Sequence, residues 1–226
     1  MAYTILAADI GGTSSRMGFF TFEPGLDEPR LEHIVRLPTA ESSSFVELLS
    51  RLFAGQRLFS AAGCDLAVLA VAGAVQGATC RPPNIKWTID LHDITRVGLR
   101  RGALINDFAA QAYGCRGHAA RSALMLQRSR GDRPANEAVT AVIGAGTGLG
   151  HCALVPDGAD GQIAVPSEAG HMGFPFVGEE ECAYGEYVRR VAHGRSRSAR
   201  ILTTTLRSCC GRGSVLPWER CASCGR

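Results

Sequence analysis

The stretch ILAADIGGTSSRMGFFTF, residues 5 to 22, sets one acid and two glycines between two apolar runs. β-Branched and aromatic residues flank the glycines without any helical period, so the stretch reads as two strands turned back on each other at Gly11-Gly12-Thr13. A glycine pair suits a hairpin turn because glycine accepts positive φ at no steric cost. It also leaves room for something to lie against the backbone. Asp9 adds to that second reading, since a carboxylate in a strand otherwise apolar from Ile5 to Ile10 is costly to bury without a partner. A hydrated Mg²⁺ is a suitable partner, and backbone N–H groups at the bend, with the Thr13 hydroxyl, are suitable donors to phosphate oxygens.

Outward from this hairpin the chain reads as mixed α/β. SSSFVELLSRLF begins with serines able to cap a helix and spaces Phe45, Leu48, Leu49 and Leu52 along one helical face. CDLAVLAVAGAV is a continuous apolar run, the pattern of a strand buried on both faces. GALIND reads as another short buried strand, and FAAQAYGC opens a helix. AVTAVIGAGTGLGHCALVPDG then repeats the strand, glycine turn, strand organisation of the opening, which suggests two related lobes. From about residue 195 the apolar pattern fades.

GAGTGLG, residues 144 to 150, does not meet the dinucleotide-binding spacing: from Gly144 the third glycine would fall at Leu149, and from Gly146 at His151. What remains is a second glycine hairpin whose Thr147 can approach phosphate. LINDFAA ends a strand on Asn106 and Asp107. These read either as an Asx cap on the following helix or as polar groups at the carboxyl end of a strand, with Asp107 a general base toward a hydroxyl. PSEAGHMGF supplies Glu168 and His171, a weak metal pair but a good acceptor and imidazole for hydroxyl groups. Together these are the parts of a phosphoryl transfer to an alcohol.

The 226 residues, 46% of them hydrophobic, suit a soluble globular protein. No apolar run approaches the roughly 20 residues of a membrane span, and the start lacks the basic region of a signal peptide, so a cytoplasmic location is expected. The net positive charge sits at the end of the chain: residues 189 to 226 hold nine basic groups and one acid, against fifteen and twenty before them, and Lys86 is the sole lysine. That distribution argues against a selected nucleic-acid surface. Nine cysteines without a secretory signal argue against a disulfide framework. Cys64, Cys80, Cys115, Cys152 and Cys182 read as small buried hydrophobes. Cys209, Cys210, Cys221 and Cys224 form a terminal cluster whose adjacent pair is awkward for zinc.

Taken in order, DIGGTSSRMG, INDFAAQAYG, GAGTGLG and PSEAGHMGF followed by EEE resemble the bacterial glucokinase family, within the hexokinase and actin-like ATPase superfamily, over residues 3 to 194. The resemblance implies a two-lobed actin-like ATPase (ribonuclease H-like) α/β fold: a small lobe at 1–115, the start of a large lobe at 116–195, left incomplete, and an atypical Arg/Cys-rich tail at 196–226. It implies ATP and Mg²⁺, with Asp9, Gly11, Gly12 and Thr13 as the first phosphate segment, Asp9 holding a water of the ion. Gly146, Thr147 and Gly148 would lie in the second. Asp107 would take the proton of the sugar 6-hydroxyl while Asn106, Glu168 and His171 hold other hydroxyls, and Asn84 matches an asparagine near the sugar. The implied partners are a small sugar and ATP, with no membrane and no nucleic acid, and pairing into a homodimer stays open. Family members continue for about another hundred residues beyond the match, so the tail reads as truncated or frame-shifted, and a non-catalytic sugar-binding or regulatory remnant without an adenosine site is the rival expectation.

Overall fold

The computed structural model describes residues 1–26, 28–117, 122–124, 138–145, 149–159, 161–171 and 177–191. The chain forms two compact units, Met1–Leu126 and Gln127–Arg226.

In the first unit the opening hairpin is β1 (Tyr3–Ile10) and β2 (Ser14–Phe22), antiparallel as expected, followed by an edge strand β3 (Arg30–Pro38) that the apolar pattern did not announce. The apolar run supplies β4 (Leu66–Val71), and a small antiparallel sheet of β5 (Val75–Gln76), β6 (Thr79–Cys80) and β7 (Ile89–Asp90) precedes β8 (Gly102–Asn106). The main sheet is five-stranded in the order β3-β2-β1-β4-β8, and β1, β4 and β8 run parallel. Their carboxyl ends therefore fall on one edge of the sheet.

Helix α1 (Phe45–Ala54) starts where the serines predict: Ser44 caps it by accepting from the Glu47 N–H, and the Glu47 carboxylate reaches back to the Ser43 N–H at 2.7 Å. Its apolar face, Phe45, Leu48, Leu49 and Leu52, is buried with Leu6, Ile10, Met17, Phe19, Leu69 and Val71 in one core. Alternation along β1 sends Leu6, Ala8 and Ile10 into that core and Asp9 to the opposite side, where it is exposed. Water solvates the carboxylate there. The burial cost expected for Asp9 does not arise, because the strand's period of two aims its side chain away from the helix. On this opposite side α2 (Asp107–Gly114) packs against β8 and β4.

The second unit contains a three-stranded antiparallel sheet in the order β11-β10-β9, formed by β9 (Thr140–Ala145), β10 (Leu149–Pro156) and β11 (Gln162–Ser167), and a helix α3 (Gly178–Val191). The two strands of the second repeat pair antiparallel as those of the first do.

Of the five scattered cysteines, Cys64, Cys80 and Cys152 are buried as expected, whereas Cys115 and Cys182 are exposed. Cys115 caps the end of α2, past its buried Ala109 and Ala112, and Cys182 sits among exposed residues of α3.

The two bonds from Ser43 to the Glu47 carboxylate hold its pKa below the usual 4.5. Glu47 therefore contributes stability that is complete above its unfolded value and is lost as pH falls through the folded one. Glu47→Gln should flatten part of the decline in urea midpoint between pH 6 and pH 3. An unchanged decline would show that the Glu47 capping contact adds nothing. Leu49→Ala, at a site 0% exposed, should cost about 2–5 kcal/mol in the same assay.

Candidate active site

The bend after β1 is tight. Gly11 N–H donates to the Ser14 carbonyl at 3.2 Å, and the Thr39 N–H donates to the Thr13 carbonyl at 3.1 Å. Neither Gly11 nor Gly12 is among the positive-φ glycines. Space, not backbone conformation, demands glycine here: a Cβ at Gly12 would lie 2.6 Å from the Asn84 Cβ and 3.1 Å from the Asn84 carbonyl oxygen. The room cleared at Gly12 is thus filled by the loop of RPPNIKW, which brings Asn84 onto the bend. Thr13 and Asp9 stay exposed beside it.

At the next strand end Gly73 has φ 151°, and its carbonyl accepts from the Asn106 side-chain amide at 3.0 Å. Asn106 Oδ1 accepts from the N–H groups of Phe108 and Ala109 at 2.9 and 3.1 Å, capping α2, and the residue is 8% exposed. Both oxygen lone pairs are therefore engaged in the fold. Of the two readings for Asn106, the Asx cap is the one the geometry fills, and only the second amide hydrogen is left for a ligand. Asp107 follows as the first residue of α2, half-buried, with Oδ1 accepting from the Phe108 N–H at 2.8 Å. A carboxylate in the first turn is favoured by the helix dipole. Cys80 is a neighbour of both groups. A Cβ on Gly73 would come 3.2 Å from its sulfur, and its thiol pKa is raised, first by burial and then by the negative charge of Asp107.

The sheet register aligns these ends. Ile10 pairs with Val71 and Val71 with Asn106 in one row across β1, β4 and β8. Asp9, Gly11, Gly12, Thr13, Asn84, Asn106 and Asp107 accordingly gather at one edge of the first unit. Among the described residues no three His, Cys, Asp or Glu side chains form a metal cluster. One exposed carboxylate, Asp9, fits an ion that keeps most of its own waters.

In the second unit Gly146, Thr147 and Gly148 lie outside the described residues. Glu168 follows β11 and is exposed, and a short 3-10 turn, Ala169–His171, carries the histidine, whose side chain is not among those described. Ser167 Oγ accepts from the Ala169 N–H at 3.1 Å. Gly170 abuts the Leu149 carbonyl so closely that a Cβ would overlap it, which sets this turn against the start of β10. The terminal cysteine cluster also lies outside the described residues.

The parts of Gly73 and Trp87 at this edge, and the place of Cys80 beside Asp107, were not read from the sequence. A glycine closing a buried apolar run was the available signal for Gly73.

The parallel strand ends, the glycine bend and the half-buried acid opening a helix belong to the actin-like ATPase fold class. A glucokinase family model matches residues 6–213, and the chain belongs to the glucokinase family. The match continues past residue 194 into the segment read as atypical. Relatives include glucokinases of Synechocystis, 31% identical over 84% of this chain and 54% of the relative, and of Caulobacter vibrioides, 32% identical over 88% and 58%. The chain thus spans little more than half the length of these relatives. A crystal structure of glucokinase from an Antarctic psychrotroph superposes with a TM-score of 0.69 at 22% identity, covering 98% of this chain and 71% of that one. The Leishmania braziliensis glucokinase gives 0.63 at 22%, covering 87% and 57%.

Gly12→Ala should destabilise the chain by about 1–3 kcal/mol, because its methyl meets the Asn84 backbone and Cβ together. Adding Asn84→Gly should recover part of that loss in urea denaturation. A Gly12→Ala protein as stable as the parent would contradict the contact.

Proposed function

We propose that the chain carries the catalytic core of an ATP-dependent hexose kinase that transfers the γ-phosphate of ATP to the 6-hydroxyl of glucose. The observation that supports this most directly is the common row of Ile10, Val71 and Asn106. Adjacent strands lie about 4.8 Å apart, so the β1 bend and the first residue of α2 stand about 10 Å apart across the sheet edge. That gap suits a phosphoryl group and a hydroxymethyl group between them.

In this reading Asp107 accepts the 6-hydroxyl proton as the sugar oxygen bonds to phosphorus and the bond to the ADP oxygen breaks. With the Gly11 N–H spent on the Ser14 carbonyl, the Gly11–Thr13 bend offers the N–H groups of Gly12 and Thr13 and the Thr13 hydroxyl to phosphate oxygens. Asp9 would hold a water of Mg²⁺, which when bound supplies charge neutralisation at the phosphates. Gly146, Thr147 and Gly148 form the second phosphate segment. Glu168, His171 and Asn84 read the remaining sugar hydroxyls, and Asn106 contributes at most one amide hydrogen while fixing Asp107. The site of action proposed here is the cytoplasm and the substrates small molecules; no helix among the described residues is long and apolar enough to cross a membrane.

The second reading is a non-catalytic sugar-binding or regulatory remnant, in which the sugar-reading residues engage glucose without turnover. Coupled ADP-release kinetics beside glucose calorimetry separate the two. Turnover supports the kinase, binding alone supports the remnant, and neither result leaves both standing.

Asp107→Ala should lower ADP release by about 10²–10⁴-fold while glucose affinity changes little. Turnover retained within about tenfold would exclude Asp107 as the base.

A further inference from the structure

The loop that crosses Gly12 packs Ile85 and Trp87 against the core but makes few backbone hydrogen bonds of its own. Pro82 and Pro83 have no backbone N–H to give, and the Ile85 N–H reaches the Pro82 carbonyl at a long 3.3 Å. Its stronger anchor is Trp87, whose indole N–H donates to the Ser42 carbonyl at 2.8 Å. The indole also stacks on Phe45, with ring centroids 6.4 Å apart and planes 28° apart. Ser42 and Phe45 are 4% and 1% exposed, so the acceptor and the stacking partner are fixed in the core.

The segment that receives Trp87 is itself tied to the glycine bend. The Thr39 N–H donates to the Thr13 carbonyl, and the buried hydroxyls of Ser15 and Thr39 meet at 2.8 Å. From Thr39 the chain runs three residues to Ser42, on to Trp87 through the indole bond, back along the loop to Asn84, and from Asn84 across to Gly12. The path closes on itself. Each link is either covalent chain or a contact made in the first unit.

From this closed ring we infer that Trp87 is a positioning residue: its indole N–H sets the height of Asn84 over the glycine bend, and through Asn84 the affinity for sugar. The ring stands on contacts alone, whereas its effect on sugar rests on the kinase reading of Asn84. Phenylalanine at 87 would keep a ring against Phe45 and lose the N–H, leaving a buried carbonyl without its donor. Such a loss is large relative to a surface bond because water does not replace the donor.

The test uses the full chain with Trp87→Phe and, as a closer isostere that survives any packing defect, 3-benzothienylalanine incorporated at 87. Amide hydrogen exchange is followed by mass spectrometry over residues 9–15, 81–88 and the β4 and β8 core, and glucose affinity by calorimetry. Both substitutions should speed exchange at 9–15 and 81–88 by about five- to tenfold, the scale of one hydrogen bond, leave β4 and β8 protected, and weaken glucose binding by a similar factor. Unchanged exchange at the bend, or a uniform rise across the core, would overturn the positioning role. If the parent chain binds no glucose yet the local change appears, the ring stands and the kinase reading falls. If both chains bind glucose equally and exchange does not change, the sugar site stands and the role of Trp87 falls.

Discussion

The volume above Gly12 belongs to Asn84. A side chain at residue 12 would occupy the same space as the Asn84 Cβ and carbonyl, so the bend after β1 and the loop before β7 can approach only if residue 12 has none. That approach sets how the strand edge is built. The bend is pinned on one side by Thr39 and on the other by the Asn84 loop, leaving Asp9 and Thr13 outward. Rigid backbone donors that need no rearrangement are what phosphate recognition requires.

A second division of labour operates at the end of β8. Asn106 points into the protein and spends its amide on Gly73 and on the first N–H groups of α2. Asp107, one residue on, opens the helix half-buried. The pair joins two strand ends and one helix through a single side chain, so the position of Asp107 is inherited from the sheet and not from loop flexibility. Cys80 lies beside this junction, its thiol pKa raised by burial and by the neighbouring carboxylate.

Much of this was legible in the chain. The two hairpins, the capped helix α1 and the strands β4 and β8 follow from apolar period, serine caps and glycine punctuation, all local signals within one element. The edge strand β3 was not, because RLEHIVRLP is largely exposed and carries no clean alternation. The outward aim of Asp9 was also missed. A strand's period says which residues share a face, but which face the core takes depends on where α1 packs. Cys115 and Cys182 were missed for the same reason, since small sulfur side chains give no sign of which helix face they occupy.

The amino-acid order alone determined the two strand pairs, the capped helix, the buried strands, the motif set and the family, because each depends on residues close together in the chain or on their succession. Only tertiary structure decided that glycine at 12 answers to Asn84 and not to a turn, that Asn106 is spent on the fold, and that Trp87 closes a ring with Ser42. Those outcomes join residues from separate segments, and nothing in a linear pattern encodes which distant groups will compete for the same volume or the same hydrogen bond.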